Sequence, residues 1–254
     1  MNNNFFFKDL FTNIYEKPSQ KSEVSSQILY GEKFKILSKN KNWLKIKTLF
    51  DNYVGYINSL NYTNKFKPTH KIFKLKSRIY IKSKSKKILK TLNYLPFGSK
   101  ISIENNDKKF IEYEKNKWIK KTDIKKIDHI EKNYLKIIKL FLNTKYVWGG
   151  KSYKGIDCSA ILQLFFYYNG IFYPRDTKDQ IKYFSKSNEL QKFKKGDILF
   201  WKGHVAICID SKKLIHAYGP KKKVLKMNII NTIYRIKKTT QLKLKKKVNI
   251  KKWI

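Results

Sequence analysis

The stretch Tyr146-Val147-Trp148-Gly149-Gly150, followed by Gly155-Ile156-Asp157-Cys158-Ser159-Ala160, decides how the chain is read. It sets a cysteine directly after an aspartate and just before a largely apolar run, Ile161-Leu162-Gln163-Leu164-Phe165-Phe166-Tyr167-Tyr168, which closes at Asn169-Gly170. An apolar run with such a stop reads as a buried helix. Cys158 then falls in its first turn, where the macrodipole and unpaired N–H groups favour a thiolate. Two histidines follow, His204 in Lys202-Gly203-His204-Val205-Ala206-Ile207 and His216 in Lys213-Leu214-Ile215-His216-Ala217. A nucleophile, a base and a group that orients the base form the minimum set for cysteine acyl transfer.

The spacing of the histidines makes a geometric demand. Along one strand His204, Ala206 and Cys208 share a face. A three-residue hairpin loop at Asp210-Ser211-Lys212 would pair Ile209 with Lys213 and Ala206 with His216, which puts both histidines on one face. A two-residue loop at Ser211-Lys212 would put them on opposite faces. The catalytic reading requires the odd-numbered loop. The second cysteine, Cys208, lies in this strand and reads as a small core residue.

The net charge of +40 invites a nucleic-acid partner, and the sequence argues against one. Nearly all the basic residues are lysine, the arginines being Arg78, Arg175 and Arg235, while alanine occurs at positions 160, 206 and 217 alone. Lys, Asn, Ile, Phe and Tyr are what AT-rich codons encode, so coding bias accounts for the charge. Specific readers of nucleic acid lean on arginine forks, and no recognition motif accompanies these lysines. No specific nucleic-acid partner is therefore expected, and no membrane partner, since no run approaches ~20 apolar residues. Two cysteines far apart do not read as a disulfide framework. The beginning, Met1-Asn2-Asn3-Asn4-Phe5-Phe6-Phe7-Lys8, has no basic n-region and three consecutive apolar residues, so a cytoplasmic protein, taken as a monomer, is the expectation.

Before residue 130 the pattern is short alternating strands such as Phe34-Lys35-Ile36-Leu37 and Trp43-Leu44-Lys45-Ile46. An internal repeat runs through it. Gly31-Glu32-Lys33-Phe34-Lys35-Ile36 returns as Gly98-Ser99-Lys100-Ile101-Ser102-Ile103, and Trp43-Leu44 aligns with Phe110-Ile111 at the same offset. Val54-Gly55-Tyr56-Ile57 matches Asn116-Lys117-Trp118-Ile119 after a short deletion. Two copies of a short-stranded module suggest two small β-barrels, over 1–64 and 65–127, with one continuous β-domain as the alternative. Residues 130–142 switch to helical period, with Ile130, Tyr134, Ile138 and Phe141 or Leu142 on one face and Asp128 as a cap. A second domain, 128–254, then runs helix, loop, the Cys158 helix and strands at Asp197–Trp201, His204–Ile209 and Lys213–Ala217, an α+β fold. The lysine-rich end after Tyr234 reads as a last strand plus a charged tail.

Residues 134–218 resemble the NlpC family of cell-wall cysteine peptidases, which have a papain-like fold. The family pattern of Tyr-x-Trp-Gly-Gly, Gly-x-Asp-Cys-Ser, Pro-Arg, Gln, Gly-Asp, His-Val and His-Ala is matched in order and spacing. The resemblance implies Cys158 as nucleophile, His204 as general base and His216 as the residue that orients it, with no metal or organic cofactor. Tyr146 matches a family tyrosine that helps bind the oxyanion; core packing is its other reading, and is the preferred one for Trp148. Ala160 replaces the usual family glycine, a small-for-small change. The two β-modules resemble bacterial SH3-like domains, the second the more degenerate.

Pro174-Arg175-Asp176-Thr177 points to a substrate. It is similar to the Pro-Arg-Asp-Ser of the SH3-bearing branch, dipeptidyl-peptidases that cut murein-derived peptides between γ-D-glutamate and the diamino acid. There the aspartate and hydroxyl hold the free amine of an N-terminal L-alanine. A buried carboxylate wants a cation, and an ammonium supplies one while amine-blocked, intact murein cannot. Helix capping is the other reading of Asp176. The resemblance also implies acidic and tyrosine side chains from the first SH3-like domain, for which Glu32 and Tyr53 are candidates; Glu32 also reads as a surface residue. Asp157 reads as a helix cap, and it or Ser159 as lining of the amine pocket. The expected activity is recycling of murein stem peptides. Its rivals are an exported endopeptidase cutting intact wall, a non-catalytic basic module binding wall polymers or polyanions, and acyl transfer by a related papain-like fold.

Overall fold

The internal repeat reappears as geometry. In the computed structural model, which describes residues 4–184, 190 and 192–253, Leu29-Tyr30-Gly31-Glu32 and Pro96-Phe97-Gly98-Ser99 form the same tight turn. Glu32 N–H donates to the Leu29 carbonyl at 2.9 Å and Ser99 N–H to the Pro96 carbonyl at 3.2 Å. The third residue of each turn is a glycine in the left-handed region, with φ of 73° at Gly31 and 80° at Gly98, a conformation that costs glycine nothing sterically. Gly31 is constrained twice, because a Cβ there would lie 2.0 Å from the Lys100 carbonyl oxygen.

The chain divides into two units. The first comprises Met1–Ile130 with two short returns, Lys151–Tyr153 and Tyr168–Gly170. Its first module is a seven-stranded sheet around Phe7, Ile14, Ile28, Phe34, Leu44, Ile46 and Ile57. Alternation builds the strands: Trp43–Thr48 turns Leu44, Ile46 and Thr48 inward, and Phe110–Glu114 of the second module does the same with Ile111 and Tyr113. The second module is a five-stranded and a three-stranded sheet around Ile72, Ile79, Leu95, Ile101, Ile111, Tyr113 and Ile119. Tyr30 of the first module is part of this second core. Its hydroxyl donates to Glu114 at 2.7 Å, and Lys8 pairs with the same carboxylate.

The second unit comprises Glu131–Gly150, Lys154–Tyr167 and Ile171–Ile254. Its five-stranded antiparallel sheet has the spatial order Lys223–Asn228, Lys213–Tyr218, His204–Cys208, Asp197–Trp201, Lys246–Asn249. Among the described residues four α-helices accompany it: α1 (Tyr134–Ile138), α2 (Cys158–Tyr168), α3 (Thr177–Tyr183) and α4 (Ile229–Thr240). Leu199, Trp201, Ala206, Cys208, Leu214 and Tyr218 line one sheet face and pack with Ile229 and Ile236 of α4. Cys208 is fully buried there, as expected of a core residue. Among the described residues no helix is long and apolar enough to cross a membrane.

Three expectations need correction. The helix expected over 130–142 is a five-residue α1 followed by a 3-10 turn, Lys139–Phe141. Its cap is not Asp128 but Asn133, whose side chain accepts the Leu135 N–H at 3.2 Å, and Ile130 is half exposed. The segment after Tyr234 is helical as far as Thr240, and the last strand is Lys246–Asn249. Asn228 starts α4 by accepting the Asn231 N–H; the following β-branched residues, Ile229, Ile230, Thr232 and Ile233, masked the helical period. Trp148, expected in the core, is 57% exposed.

Candidate active site

Cys158 opens α2, and the residue before it does most of the local work. Asp157 Oδ1 accepts the Ala160 N–H at 2.8 Å, which caps the helix, and Asp157 Oδ2 accepts the Gly149 N–H at 3.0 Å. Aspartate at this position satisfies an N–H that helix geometry leaves unpaired. The Tyr-x-Trp-Gly-Gly loop and the start of α2 are thereby tied to one carboxylate. Arg175 then closes on that carboxylate as a fork, Nη1 to Oδ1 at 3.0 Å and Nη2 to Oδ2 at 2.6 Å, and donates to Ser159 Oγ at 2.8 Å. All three side chains are buried. Asp157 and Ser159, proposed also as amine-pocket residues, are thus engaged in a buried network that holds the cysteine loop. Arg175 is the residue sequence reasoning missed; its signal was its presence in the Pro-Arg motif and its rarity among the basic residues.

The histidine hairpin has the register the chemistry demands. Ile207 pairs with Ile215 and Cys208 with Leu214. Ile209 N–H donates to the Lys213 carbonyl at 2.9 Å, so the loop is Asp210-Ser211-Lys212. His204 and His216 share a face, with His204 Nε2 2.9 Å from His216 Nδ1. The His216 ring stacks on Tyr218, centroids 4.6 Å apart and planes at 12°.

Cys158 Sγ comes to this hairpin at the residues on either side of His204. It lies 3.9 Å from the Gly203 carbonyl oxygen and accepts the Val205 N–H. Thr177 Oγ1, at the first position of α3, is also 3.9 Å from Sγ. The residues expected as nucleophile, base and orienting histidine all lie in the second unit, and Thr177 adds a hydroxyl near the sulfur. Burial lowers His204 to about 4 and, helped by His204, pushes His216 lower still, so both rings are neutral near pH 7.

The thiol departs from the thiolate expected at a helix N-terminus. Burial, followed by the neighbouring Asp157 charge, pushes Cys158 up to about 11, against the weaker opposing pull of the Val205 N–H, Thr177 and Arg175. At rest, near pH 7, the site holds a neutral thiol and two neutral imidazoles. Alkylation of Cys158 by iodoacetamide is therefore expected to speed up with rising pH until about 11. A rate plateau reached by pH 6, measured by mass spectrometry of the Cys158 peptide, would contradict this.

Tyr146 is half-buried. Its N–H donates to the Lys222 carbonyl at 2.9 Å, and its ring is the nearest neighbour of Gly219. Burial first, then Cys158 and Asp157, hold its phenol well above the ordinary value, so the hydroxyl remains a donor. Asp176 occupies the N-cap position of α3, and its side chain makes no capping bond. Lys178 Nζ lies 4.0 Å from its carboxylate, on a largely exposed side chain. Burial raises its carboxyl.

Glu32 and Tyr53 belong to the first unit, and Glu32 is corrected. It is a buried residue, not a surface one, and its carboxylate is already occupied. Lys151 Nζ lies 3.0 Å from both Oε1 and Oε2, and the Leu29 N–H donates to Oε2 at 3.0 Å. The pair is 2% and 1% exposed, so Glu32 is the buried counter-ion of Lys151. Lys151 is likewise structural, its N–H donating to Gln27 Oε1 at 2.8 Å. Tyr53 packs on the first module's core with its hydroxyl 3.5 Å from the Ser25 carbonyl. Among the described residues no cluster of His, Cys, Asp and Glu could hold a metal ion.

Residues 143–243 match the family model described as the NlpC/P60 family, across the whole Cys158, His204 and His216 constellation. The chain carries an NlpC/P60 domain. Residues 14–60 match the model of the bacterial dipeptidyl-peptidase Sh3 domain. The dipeptidyl-peptidase 6 of Lysinibacillus sphaericus is 26% identical over 235 residues, covering 82% of this chain and 85% of its own. The gamma-D-glutamyl-L-lysine dipeptidyl-peptidase of Bacillus subtilis is 28% identical over 235 residues, covering 83% and 78%. The crystal structure of an NlpC/P60 family protein from Bacillus cereus has a TM-score of 0.74 at 18% identity, over 89% of this chain and 94% of that one. The fold is therefore the SH3-bearing NlpC/P60 arrangement, and the chain is a cysteine-type peptidase of that kind.

Proposed function

We propose that this NlpC/P60 enzyme is a dipeptidyl-peptidase that hydrolyses the bond between γ-D-glutamate and the diamino acid of murein-derived peptides with a free N-terminal L-alanine. Its place is the cytoplasm, where released wall fragments are recycled. The observation that carries the reading is Asp176. It stands at a helix start without capping it, partly buried, one residue from a hydroxyl 3.9 Å from the nucleophilic sulfur. A carboxylate left uncapped in that position matches an ammonium, and Thr177 supplies a hydroxyl beside it. The two relatives matched over most of their length, both dipeptidyl-peptidases, support the same reading.

The chemistry follows from the atoms present. Cys158 Sγ attacks the γ-D-glutamyl carbonyl while its proton passes to His204, whose charge His216 stabilises through the 2.9 Å contact. The oxyanion is held by the Cys158 N–H and the Tyr146 hydroxyl. His204 returns the proton to the departing amine of the diamino acid, which leaves a thioester. Water, deprotonated by His204, then releases the L-Ala-D-Glu dipeptide and restores the thiol.

The test is incubation of the purified protein with L-Ala-γ-D-Glu-diaminopimelate and mass analysis of the products. Appearance of L-Ala-D-Glu and free diaminopimelate supports the proposal; products of any other bond contradict it. Asp176→Asn is expected to raise KM for this peptide about tenfold or more and to leave kcat nearly unchanged, since a charged hydrogen bond is worth about 1.5–3 kcal/mol. An unchanged KM would remove Asp176 from amine recognition.

A further inference from the structure

His216 is the last histidine of the relay, and its second nitrogen has a partner from a neighbouring strand. His216 Nε2 lies 3.2 Å from the Met227 sulfur. In the strand pair His216 faces Leu225 and Leu214 faces Met227, so the thioether reaches the ring diagonally along one sheet face. Met227 is partly exposed and His216 fully buried.

A thioether sulfur has lone pairs and no proton, so it can only accept. The contact is attractive in one tautomer of a neutral ring, the one with the proton on Nε2. His216 Nδ1 is then an acceptor, and the 2.9 Å contact requires His204 Nε2 to donate to it. His204, neutral as well, is left with its lone pair on Nδ1, the nitrogen not engaged by His216. A base must present a lone pair, so this tautomer is the productive one. With the opposite tautomer of His216, the lone pair of Nε2 would face the lone pairs of sulfur. His204 would then carry its proton on Nδ1 and could not take another from the thiol.

We propose that Met227 is a positioning residue that fixes the tautomers of His216 and, through it, of His204, so that the base is held ready to accept the proton of Cys158. It touches neither nucleophile nor substrate in this role. The assignment rests on the catalytic reading of the two histidines for its purpose, while its structural content stands without it.

The test is long-range proton–nitrogen NMR on protein labelled with nitrogen-15 histidine, at neutral pH and without substrate. In the unaltered protein both His204 and His216 are expected as the Nε2–H tautomer; Nδ1–H at His216 would overturn the proposal. Met227→Leu keeps the volume and removes the acceptor. It is expected to shift His216 toward a mixture of tautomers and to lower kcat about tenfold, with KM unchanged. Met227→Gln, whose amide oxygen accepts in place of sulfur, is expected to restore most of the Nε2–H population and of kcat. Unchanged tautomers and kcat in Met227→Leu would overturn the assignment. Locked tautomers in a protein that cleaves no murein peptide would remove the proposed function and leave this role of Met227 standing.

Discussion

Alanine at position 158 is expected to lower hydrolysis of a murein tripeptide by a factor of about 10⁵ or more, with the fold intact. In the proposed mechanism Sγ forms the thioester, and losing the nucleophile of such a relay costs about as much as losing all of it. The side chain is 3% exposed at the first position of α2, and the cap that starts the helix belongs to Asp157, so the substitution leaves the secondary structure in place. Steady-state rates and a circular dichroism spectrum on the same sample check both halves. Residual hydrolysis above about one part in a hundred would show that another group attacks the carbonyl.

The largest effect on stability is expected at Arg175. Its guanidinium forks onto Asp157 in a site where both side chains are nearly inaccessible, 1% and 7% exposed. Arg175→Met leaves a buried carboxylate without its counter-charge, which destabilises by about 3–5 kcal/mol. Asp157→Asn in the same chain removes the orphaned charge, so the double variant is expected to recover about 1–3 kcal/mol in a mutant cycle followed by urea unfolding. Arg175→Lys is not a conservative change here, because an ammonium cannot donate to both oxygens in a plane. A single-variant loss below about 1 kcal/mol would mean that the fork is not what holds the cysteine loop.

What the sequence showed and what it hid divides along a physical line. Features with a period or a register were readable: the Cys158 helix from its apolar run and glycine stop, the repeated turn from Gly31 and Gly98, the shared face of His204 and His216 from loop parity. Each depends on residues close in sequence. Partnerships across long separations were not readable. Arg175 finds Asp157 and Lys151 finds Glu32 only once the chain has folded, and a lysine among so many carries no mark of being buried. That is why the buried ion pair of Glu32 with Lys151 was not foreseen. The helix α4 was hidden for a different reason, since its isoleucines and threonines carry strand propensity and its helical face is decided by packing on the sheet. Trp148 looked like core by composition and lies half in solvent beside the cysteine loop.

The proposed activity requires that a free amine be recognised next to Cys158. The most direct test is the ratio of kcat/KM for L-Ala-γ-D-Glu-diaminopimelate to that for the same peptide acetylated on its alanine. Cleavage of the free peptide is expected with a preference of about a hundredfold or more, because acetylation removes the ammonium that Asp176 would bind. Equal cleavage of the two peptides would contradict it, and would mark the enzyme as one that cuts amine-blocked, intact wall.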